Sequence, residues 1–105
     1  HIITNGFQTV QAGKLKNSNI EHFFQTITNS EMAGVKKPNP LIFEYALKKA
    51  NATKSKSIMI GDSLEADIEG AINVGLDAIF FNEFNVSVDE KIHQVNHLML
   101  LKEYL

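Results

Sequence analysis

The sequence predicts an α/β fold, in which a parallel sheet is covered by helices on both faces. Two apolar runs, Ser57–Ile60 and Ala78–Phe81, are continuous rather than alternating, as strands buried on both faces are. Stretches with helical periodicity separate the apolar runs, which is the order of strand–helix–strand units. A hydrophobic share of 44% and a charged share of 21% are typical of globular domains and exclude disorder, collagen and a coiled coil.

Length, charge and composition predict the number of domains and exclude several classes of function. The 105 residues predict one domain, 1–105, because no repeat, linker or low-complexity segment divides them. A net charge of −2 gives no basic surface for a nucleic acid polymer. No apolar run reaches the roughly 18 residues of a membrane span. The sequence has no Cys, which excludes a disulfide framework, a Cys-type zinc site and a thiol nucleophile.

The first half of the chain contains two strand candidates and one well-marked helix. Ile2–Thr4 is predicted to be a short buried strand ended by the turn dipeptide Asn5-Gly6. Residues 7–17 are predicted to form a helix, and Phe24–Thr28 is predicted to be a second strand. Met32–Asn39 is predicted to be a loop.

The well-marked helix begins at Pro40, which suits a first helical position, after Asn39 as N-cap. Its apolar residues repeat every four positions at Ile42, Ala46 and Ala50. Asn51 is predicted to end it.

In the second half, the strand Ser57–Ile60 runs into Gly61-Asp62-Ser63, and a helix follows. That helix is predicted to end at Gly75. Four of its side chains are predicted to face the core: Leu64, Ile68, Ala71 and Ile72. The strand Ala78–Phe81 comes next. Residues 83–95 are predicted to be a polar loop with one short helical piece, and the pattern from His97 to Leu105 does not decide between strand and helix.

Three polar groups follow the predicted strands, where ligands bind in parallel α/β sheets. They are Thr4 with Asn5 and Gly6, then Lys37, and then Asp62 with Asp67. The Thr4 hydroxyl and the amides of Asn5 and Gly6 could hold a phosphate oxygen, Lys37 could supply positive charge, and two carboxylates near solvent suit Mg²⁺. Together these groups would bind a phosphoryl group and neutralise its charge.

Each group also has a purely structural interpretation. Thr4 could simply end a strand before a turn, and Lys37 could be a solvated loop charge, with the neighbouring Lys36 equally placed. Asp67 could favour the helix dipole while Asp62 caps the helix. His93 and His97 have the i, i+4 spacing of a metal pair, but without a third ligand they are predicted to be surface residues.

Three blocks of this sequence resemble motifs two, three and four of the haloacid dehalogenase-like (HAD) hydrolase superfamily, in the same order. They are Ile-Ile-Thr4-Asn5-Gly6-Phe, Gly34-Val-Lys-Lys37-Pro-Asn-Pro-Leu-Ile-Phe and Ile-Met-Ile-Gly61-Asp62-Ser63-Leu-Glu-Ala-Asp67. The resemblance covers about residues 1–82, and its third block is the most specific. It implies a three-layer Rossmann-like core and a Mg²⁺-dependent phosphatase that acts on a small phosphorylated metabolite.

The resemblance also implies residue roles. Thr4, Asn5 and Gly6 would bind the transferring phosphoryl group, and Lys37 would bind it and stabilise the charge of the nucleophile, with the Lys-Pro junction selecting Lys37 over Lys36. Asp62 would coordinate Mg²⁺ directly, and Asp67 would coordinate the ion or hold its waters. The amino-acid sequence of the first two blocks is most similar to that of nucleotidases that act on pyrimidine nucleoside monophosphates. We expect a cytoplasmic protein.

One departure from the superfamily is large. Motif one, Asp-x-Asp-x-Thr, supplies the nucleophile and the general acid, and it does not occur in this sequence; the cap that normally follows it is absent too. We therefore expect the carboxyl-terminal part of a core domain, lacking the central motif-one strand. Alone it should have no turnover, and it should associate with itself or with a missing amino-terminal half, because unpaired apolar strand edges invite pairing.

Three other functions compete with the phosphatase. A haloacid dehalogenase attacks carbon without a metal, but Gly61-Asp62 favours phosphoryl chemistry. A phospho-acceptor receiver domain needs its acidic residues before Thr and Lys, whereas here the order is Thr4, Lys37, Asp62. A non-catalytic binding fragment stays open, because this sequence contains no nucleophile.

Overall fold

The computed structural model describes residues 1–6 and 24–105, so the helix predicted over 7–17 lies outside the described residues. The described residues alternate strands and helices, and every pairing between their strands is parallel, which confirms the α/β class. Contacts group them into two compact units, His1–Thr53 and Lys54–Leu105. The elements are β1 (Ile2–Thr4), β2 (Ile27–Asn29), α1 (Ser30–Ala33), α2 (Pro40–Lys49), a 3₁₀ turn (Lys54–Lys56), β3 (Ile58–Gly61), a π-helical segment (Leu64–Glu69), α3 (Gly70–Asn73), β4 (Asp77–Phe81), β5 (Gln94–Val95) and a second 3₁₀ helix (Leu98–Glu103).

The first unit contains the β1–β2 sheet, in which Ile2 lies opposite Ile27 and Thr4 opposite Asn29. The strand predicted over Phe24–Thr28 was therefore placed too early. The pairing starts only where the Ile2 N–H donates to the Thr26 carbonyl oxygen, at 3.0 Å. Because β1 and β2 end at the same level, the residues that follow them meet at one edge of this sheet.

The helix α1 corrects the predicted loop Met32–Asn39, since Met32 and Ala33 belong to α1. The buried Asn29 begins this helix, because its Oδ1 accepts from the Met32 N–H at 3.0 Å. Gly34 ends it in the left-handed region, at φ 77°, and donates its N–H to the Ser30 carbonyl oxygen. The remaining loop, from Gly34 to Asn39, carries Lys37.

The helix α2 has the predicted start and the predicted end. Asn39 is its N-cap, with Oδ1 accepting from the Leu41 N–H at 3.0 Å, and Pro40 is its first residue. At the other end Asn51 takes a positive φ of 54°, which lets Asn51 and Ala52 donate to the last free carbonyls of the helix. The buried face of α2 consists of Ile42, Phe43 and Ala46.

The second unit contains the three-stranded sheet β3–β4–β5, with Gly61 opposite Phe80 and Phe81 opposite Val95. β3 and β4 agree with their predictions to within one residue at each end. β5 was predicted to be part of a loop, and that prediction is wrong. It has only two residues, too few to show a periodic pattern, and it is defined by bonds such as Asn82 N–H to the Val95 carbonyl oxygen at 2.7 Å.

The helix predicted after β3 begins as a π-helical segment and continues as α3. The Ser63 carbonyl oxygen accepts both from the Asp67 N–H at 2.9 Å and from the Ile68 N–H at 3.3 Å, the second being a π-type bond. The wider turn rotates the residues that follow it. Ile68 and Ala71 are buried as predicted, but Ile72 is 51% exposed, so its inward placement was wrong.

The end of α3 and the start of the last helix are both well defined. Gly75 follows α3 at φ 90°, and Leu76 donates to the Ala71 carbonyl oxygen at 3.0 Å, so the predicted stop at Gly75 is confirmed. His97 begins the helix Leu98–Glu103 by accepting from the Met99 N–H. His93 and His97 are both exposed and do not share a helix. Within the described ranges, no helix has the length and apolar character needed to cross a membrane.

Candidate functional site

The turn after β1 holds the first predicted group, Thr4, Asn5 and Gly6, all half-buried. The Gly6 N–H donates to Thr4 Oγ1 at 3.3 Å. The Gly6 amide, which the sequence suggests as a phosphate donor, thus also contacts the Thr4 hydroxyl. Because the hydroxyl accepts in this bond, it keeps its own proton for donation to another oxygen.

The main chain of Lys37 is hydrogen-bonded to Asn5 in this turn. The Lys37 N–H donates to Asn5 Oδ1 at 2.7 Å, and Asn5 Nδ2 donates back to the Lys37 carbonyl oxygen at 3.3 Å. Lys37 is half-buried and joined to Pro38 by a cis peptide bond, whereas Lys36 is exposed. The structure thus brings Thr4, Asn5, Gly6 and Lys37 together at the carboxyl end of β1.

Ser30 was not predicted from the sequence, yet it is part of the same cluster. Its hydroxyl donates to the carbonyl oxygens of Asn5, at 3.0 Å, and of Gly6, at 3.3 Å. Ser30 is buried at the point where β2 passes into α1. A Ser at the start of a helix is common, so no sequence signal pointed to this long-range role. We call Thr4, Asn5, Gly6, Ser30 and Lys37 the β1 cluster.

The carboxyl end of β3 holds the two predicted carboxylates. Asp62, the first residue after β3, is exposed. The N-cap of the following helical segment is Ser63, whose Oγ accepts from the Ala66 N–H at 3.2 Å. The structural alternative in which Asp62 caps this helix is therefore wrong.

Asp67 is 4% exposed and packs back against the end of β3. Its Oδ2 accepts from the Ser63 N–H at 3.1 Å, so the carboxylate lies beside the peptide that follows Asp62. Gly61 makes this placement possible, since a Cβ on Gly61 would lie 2.5 Å from Asp67 Cβ and Cγ. The glycine before Asp62 is thus required by the space that Asp67 occupies. Gly61, Asp62, Ser63 and Asp67 form the β3 cluster.

The β3 cluster has the donor chemistry that a hard divalent cation needs. Within residues 1–6 and 24–105, the Asp62 carboxylate has no hydrogen-bond or ion-pair partner and is open to solvent. The same residues contain no group of three or more acidic or histidine side chains that could hold a metal ion. Mg²⁺ requires no such group, because it keeps several waters and binds through one or two carboxylates. Asp62 fits a direct ligand, and the buried Asp67, whose Oδ2 accepts from the Ser63 N–H, fits a supporting one.

Comparison with known proteins assigns the chain to a family. The family model for haloacid dehalogenase-like hydrolases matches residues 1–81, which include β1, β2, β3, β4 and both clusters. The chain belongs to the haloacid dehalogenase-like hydrolase family. The resemblance of Thr4-Asn5-Gly6, Lys37-Pro38 and Gly61-Asp62 to this family's motifs is thereby confirmed.

Curated relatives in this family have names of phosphatases and nucleotidases. The pyrimidine 5'-nucleotidase YjjG of Escherichia coli is 44% identical over 82 residues, which are 77% of this chain and 36% of that protein. The glyceraldehyde 3-phosphate phosphatase of Pyrococcus abyssi is 42% identical over 80 residues, 76% of this chain and 34% of that protein. The chain thus spans about a third of the length of these relatives.

Solved structures agree with the family over nearly the whole chain. The HAD phosphatase from Thermococcus onnurineus matches with a TM-score of 0.90 and 26% identity, over 96% of this chain and 47% of that one. The magnesium-bound HAD-hydrolase YfnB of Bacillus subtilis matches with a TM-score of 0.86 and 30% identity, over 97% of this chain and 45% of that one. The predicted Rossmann-like fold of this superfamily is confirmed.

Proposed function

We propose that the chain is part of a Mg²⁺-dependent phosphohydrolase that acts on a small phosphomonoester. The observation that carries the proposal is the β3 cluster, in which an exposed Asp62 follows β3 and Asp67 packs on Gly61 beside it. Relatives named as phosphatases and as pyrimidine 5'-nucleotidases support the reaction class.

In this proposal the β1 cluster binds the phosphoryl group. The Thr4 hydroxyl donates its proton to a phosphoryl oxygen, and the Asn5 main-chain amide lies in the same turn. The Lys37 ammonium faces the phosphoryl oxygens and stabilises the negative charge that they share with the nucleophile. Gly6 shapes the turn, because its N–H orients the Thr4 hydroxyl.

The β3 cluster holds the metal ion in this proposal. Asp62 coordinates Mg²⁺ directly, and Asp67 coordinates it or fixes one of its waters. When bound, the ion neutralises phosphoryl charge and orients the phosphoryl group. Asp67 also keeps the Ser63 amide in place, which sets the direction of the chain immediately after Asp62.

The nucleophile is proposed to be an aspartate outside these 105 residues, because the Asp-x-Asp-x-Thr motif of the superfamily does not occur among them. The first candidate substrate is a pyrimidine nucleoside monophosphate, and the second is glyceraldehyde 3-phosphate, since relatives of similar identity carry each name. A cytoplasmic location remains part of the proposal.

The test is phosphate release by the full-length protein from uridine monophosphate and from glyceraldehyde 3-phosphate, with Mg²⁺ and after its removal by EDTA. We expect Mg²⁺-dependent release, with one of the two substrates preferred. A metal-independent release of halide from a 2-haloacid, without phosphate release, would instead support the dehalogenase. No turnover with any of them would support a binding role.

A further inference from the structure

The Asn5 carboxamide binds both main-chain polar groups of one residue, Lys37, which lies 32 positions later in the chain. Oδ1 accepts from the Lys37 N–H at 2.7 Å, and Nδ2 donates to the Lys37 carbonyl oxygen at 3.3 Å. Such a pair imitates the exchange of hydrogen bonds between two strands, and it fixes a loop residue without any regular element around it. We propose that Asn5 is a positioning residue that acts through Lys37.

The hydrogen-bonding capacity of Asn5 supports this role over direct substrate binding by its side chain. A carboxamide has one oxygen and two N–H groups. The oxygen and one N–H are already directed at Lys37, at part-buried positions. A phosphoryl group would meet an oxygen that repels it and a single remaining donor. The Asn5 side chain is therefore poorly suited to hold phosphate while it holds Lys37.

Positioning matters for a lysine because its ammonium lies at the end of four rotatable bonds. The two bonds from Asn5 fix the main chain of Lys37 at the carboxyl end of β1. The point from which the Lys37 side chain extends is thereby fixed. A misplacement of about 1 Å in such a site can lower turnover about 10²-fold.

Ser30 supports the same arrangement through the main chain of the turn. Its hydroxyl donates to the carbonyl oxygens of Asn5 and Gly6, at 3.0 and 3.3 Å. Ser30 is 7% exposed, so it is itself held firmly by the surrounding fold. Asn5 is thus connected to two later segments: its main chain is bound by Ser30 and its side chain binds Lys37.

A double-mutant cycle in the full-length protein tests the inference, which rests on the proposed function. The variants are Asn5→Ala, Lys37→Ala and the double variant, and the measurement is kcat and KM for p-nitrophenyl phosphate at saturating Mg²⁺. We expect Asn5→Ala to lower kcat about 10- to 10²-fold, because Lys37 is misplaced. In the Lys37→Ala background the same change should alter kcat less than about 2-fold, because no ammonium remains to position.

A full additional loss in the double variant would overturn the inference, since Asn5 would then act independently of Lys37. Wild-type kcat in Asn5→Ala would overturn it as well. Asn39→Ala is the matched control, because Asn39 lies in the same loop and its side chain caps α2. It should leave kcat within about 2-fold of wild type. If Asn5→Ala does not fold, Ser30→Ala replaces it in the same cycle, with the same expected non-additivity.

The outcome separates this inference from the proposed function. If the wild-type protein releases no phosphate, or if Lys37→Ala has wild-type kcat, the proposed function fails. If the wild type is active and Lys37→Ala is impaired, but the effects of Asn5→Ala and Lys37→Ala multiply, only the positioning role of Asn5 fails.

Discussion

The β1 cluster and the β3 cluster are built in different ways. The β1 cluster depends on hydrogen bonds between residues far apart in the chain, 25 positions for Ser30 to Asn5 and 32 positions for Asn5 to Lys37. The β3 cluster is local, since Gly61, Ser63 and Asp67 arrange one another within two helical turns. The first cluster therefore depends on its unit being folded, and the second is encoded in one short segment.

This difference has a consequence for mutations. A substitution in the β3 cluster that removes or displaces a carboxylate should affect metal binding directly. A substitution in the β1 cluster acts through long-range bonds and should affect phosphoryl binding or turnover while Mg²⁺ affinity stays the same. Separate measurements of turnover and of apparent Mg²⁺ affinity therefore distinguish the two clusters.

The largest effect is expected for Asp62→Asn in the full-length protein. The exchange keeps the size of the side chain but removes the charge of a proposed metal ligand. We expect kcat/KM for a phosphomonoester to fall about 10³-fold or more, together with a weaker apparent Mg²⁺ affinity. The measurement is phosphate release as a function of Mg²⁺ concentration.

Glu65→Gln is the control for Asp62→Asn, because Glu65 is an exposed acid in the next helical segment. The Glu65→Gln variant loses the same charge as Asp62→Asn, but its apparent Mg²⁺ affinity should remain that of wild type. Equal effects of the two variants would mean that general surface charge, and not the position of Asp62, attracts the metal.

The next effect in size is expected for Lys37→Ala. Loss of one preorganised charge-stabilising group lowers turnover about 10²- to 10³-fold. Because Lys37 belongs to the β1 cluster, its removal should leave the apparent Mg²⁺ affinity unchanged. The measurement is the same Mg²⁺ titration, with kcat and the midpoint determined separately.

Lys36→Ala is the matched control, since Lys36 is the exposed neighbour of the half-buried Lys37. It should have nearly wild-type kinetics. The assignment would be reversed if Lys36→Ala, and not Lys37→Ala, abolished turnover.

The same contrast explains how much could be predicted from the sequence. The local features were predictable: Asn39-Pro40 at the start of α2, Gly75 after α3 and the pair Asp62/Asp67 after β3. Each depends on residues within one or two turns of each other, so composition and spacing carry the information.

The long-range features were not predictable. Nothing in the sequence pairs Asn5 with Lys37 or Ser30 with Asn5, because any polar side chain in a loop could find many partners. The two-residue β5 was missed since its position depends on pairing with β4, and Ile72 was misplaced because a π-type turn changes the periodicity on which its prediction rested.

A smaller effect, mainly on stability, is expected for Gly61→Ala. The new Cβ would lie 2.5 Å from Asp67 Cβ and Cγ, and Asp67 is buried, so its side chain must move. Overpacking of this kind costs about 1–3 kcal/mol in the free energy of unfolding. Urea unfolding measures that loss, and the Mg²⁺ titration should show a weaker apparent affinity because Asp67 is displaced.

The variant Gly34→Ala distinguishes the effect of backbone strain from the effect of steric overlap with a neighbouring side chain. Gly34 has a φ of 77°, and a Cβ added there would have no neighbouring atom within 4 Å among the described residues, so only left-handed strain results. That strain costs about 1–2 kcal/mol, and Mg²⁺ affinity should remain that of wild type. If Gly61→Ala also kept wild-type Mg²⁺ affinity, the contact between Gly61 and Asp67 would have no role in metal binding.

The smallest effect is expected for Ser63→Ala, which removes the N-cap of the helical segment after β3. Ser63 Oγ accepts from the Ala66 N–H at 3.2 Å, and loss of such a cap costs about 1 kcal/mol in the free energy of unfolding. The Ser63 main-chain N–H still donates to Asp67 Oδ2, so the position of Asp67 should be preserved. Asn39→Ala removes the N-cap of α2 in the other unit and should cost a similar amount in urea unfolding. Neither variant should change the apparent Mg²⁺ affinity, and a weaker affinity in Ser63→Ala alone would show that its hydroxyl, and not only its main chain, belongs to the metal site.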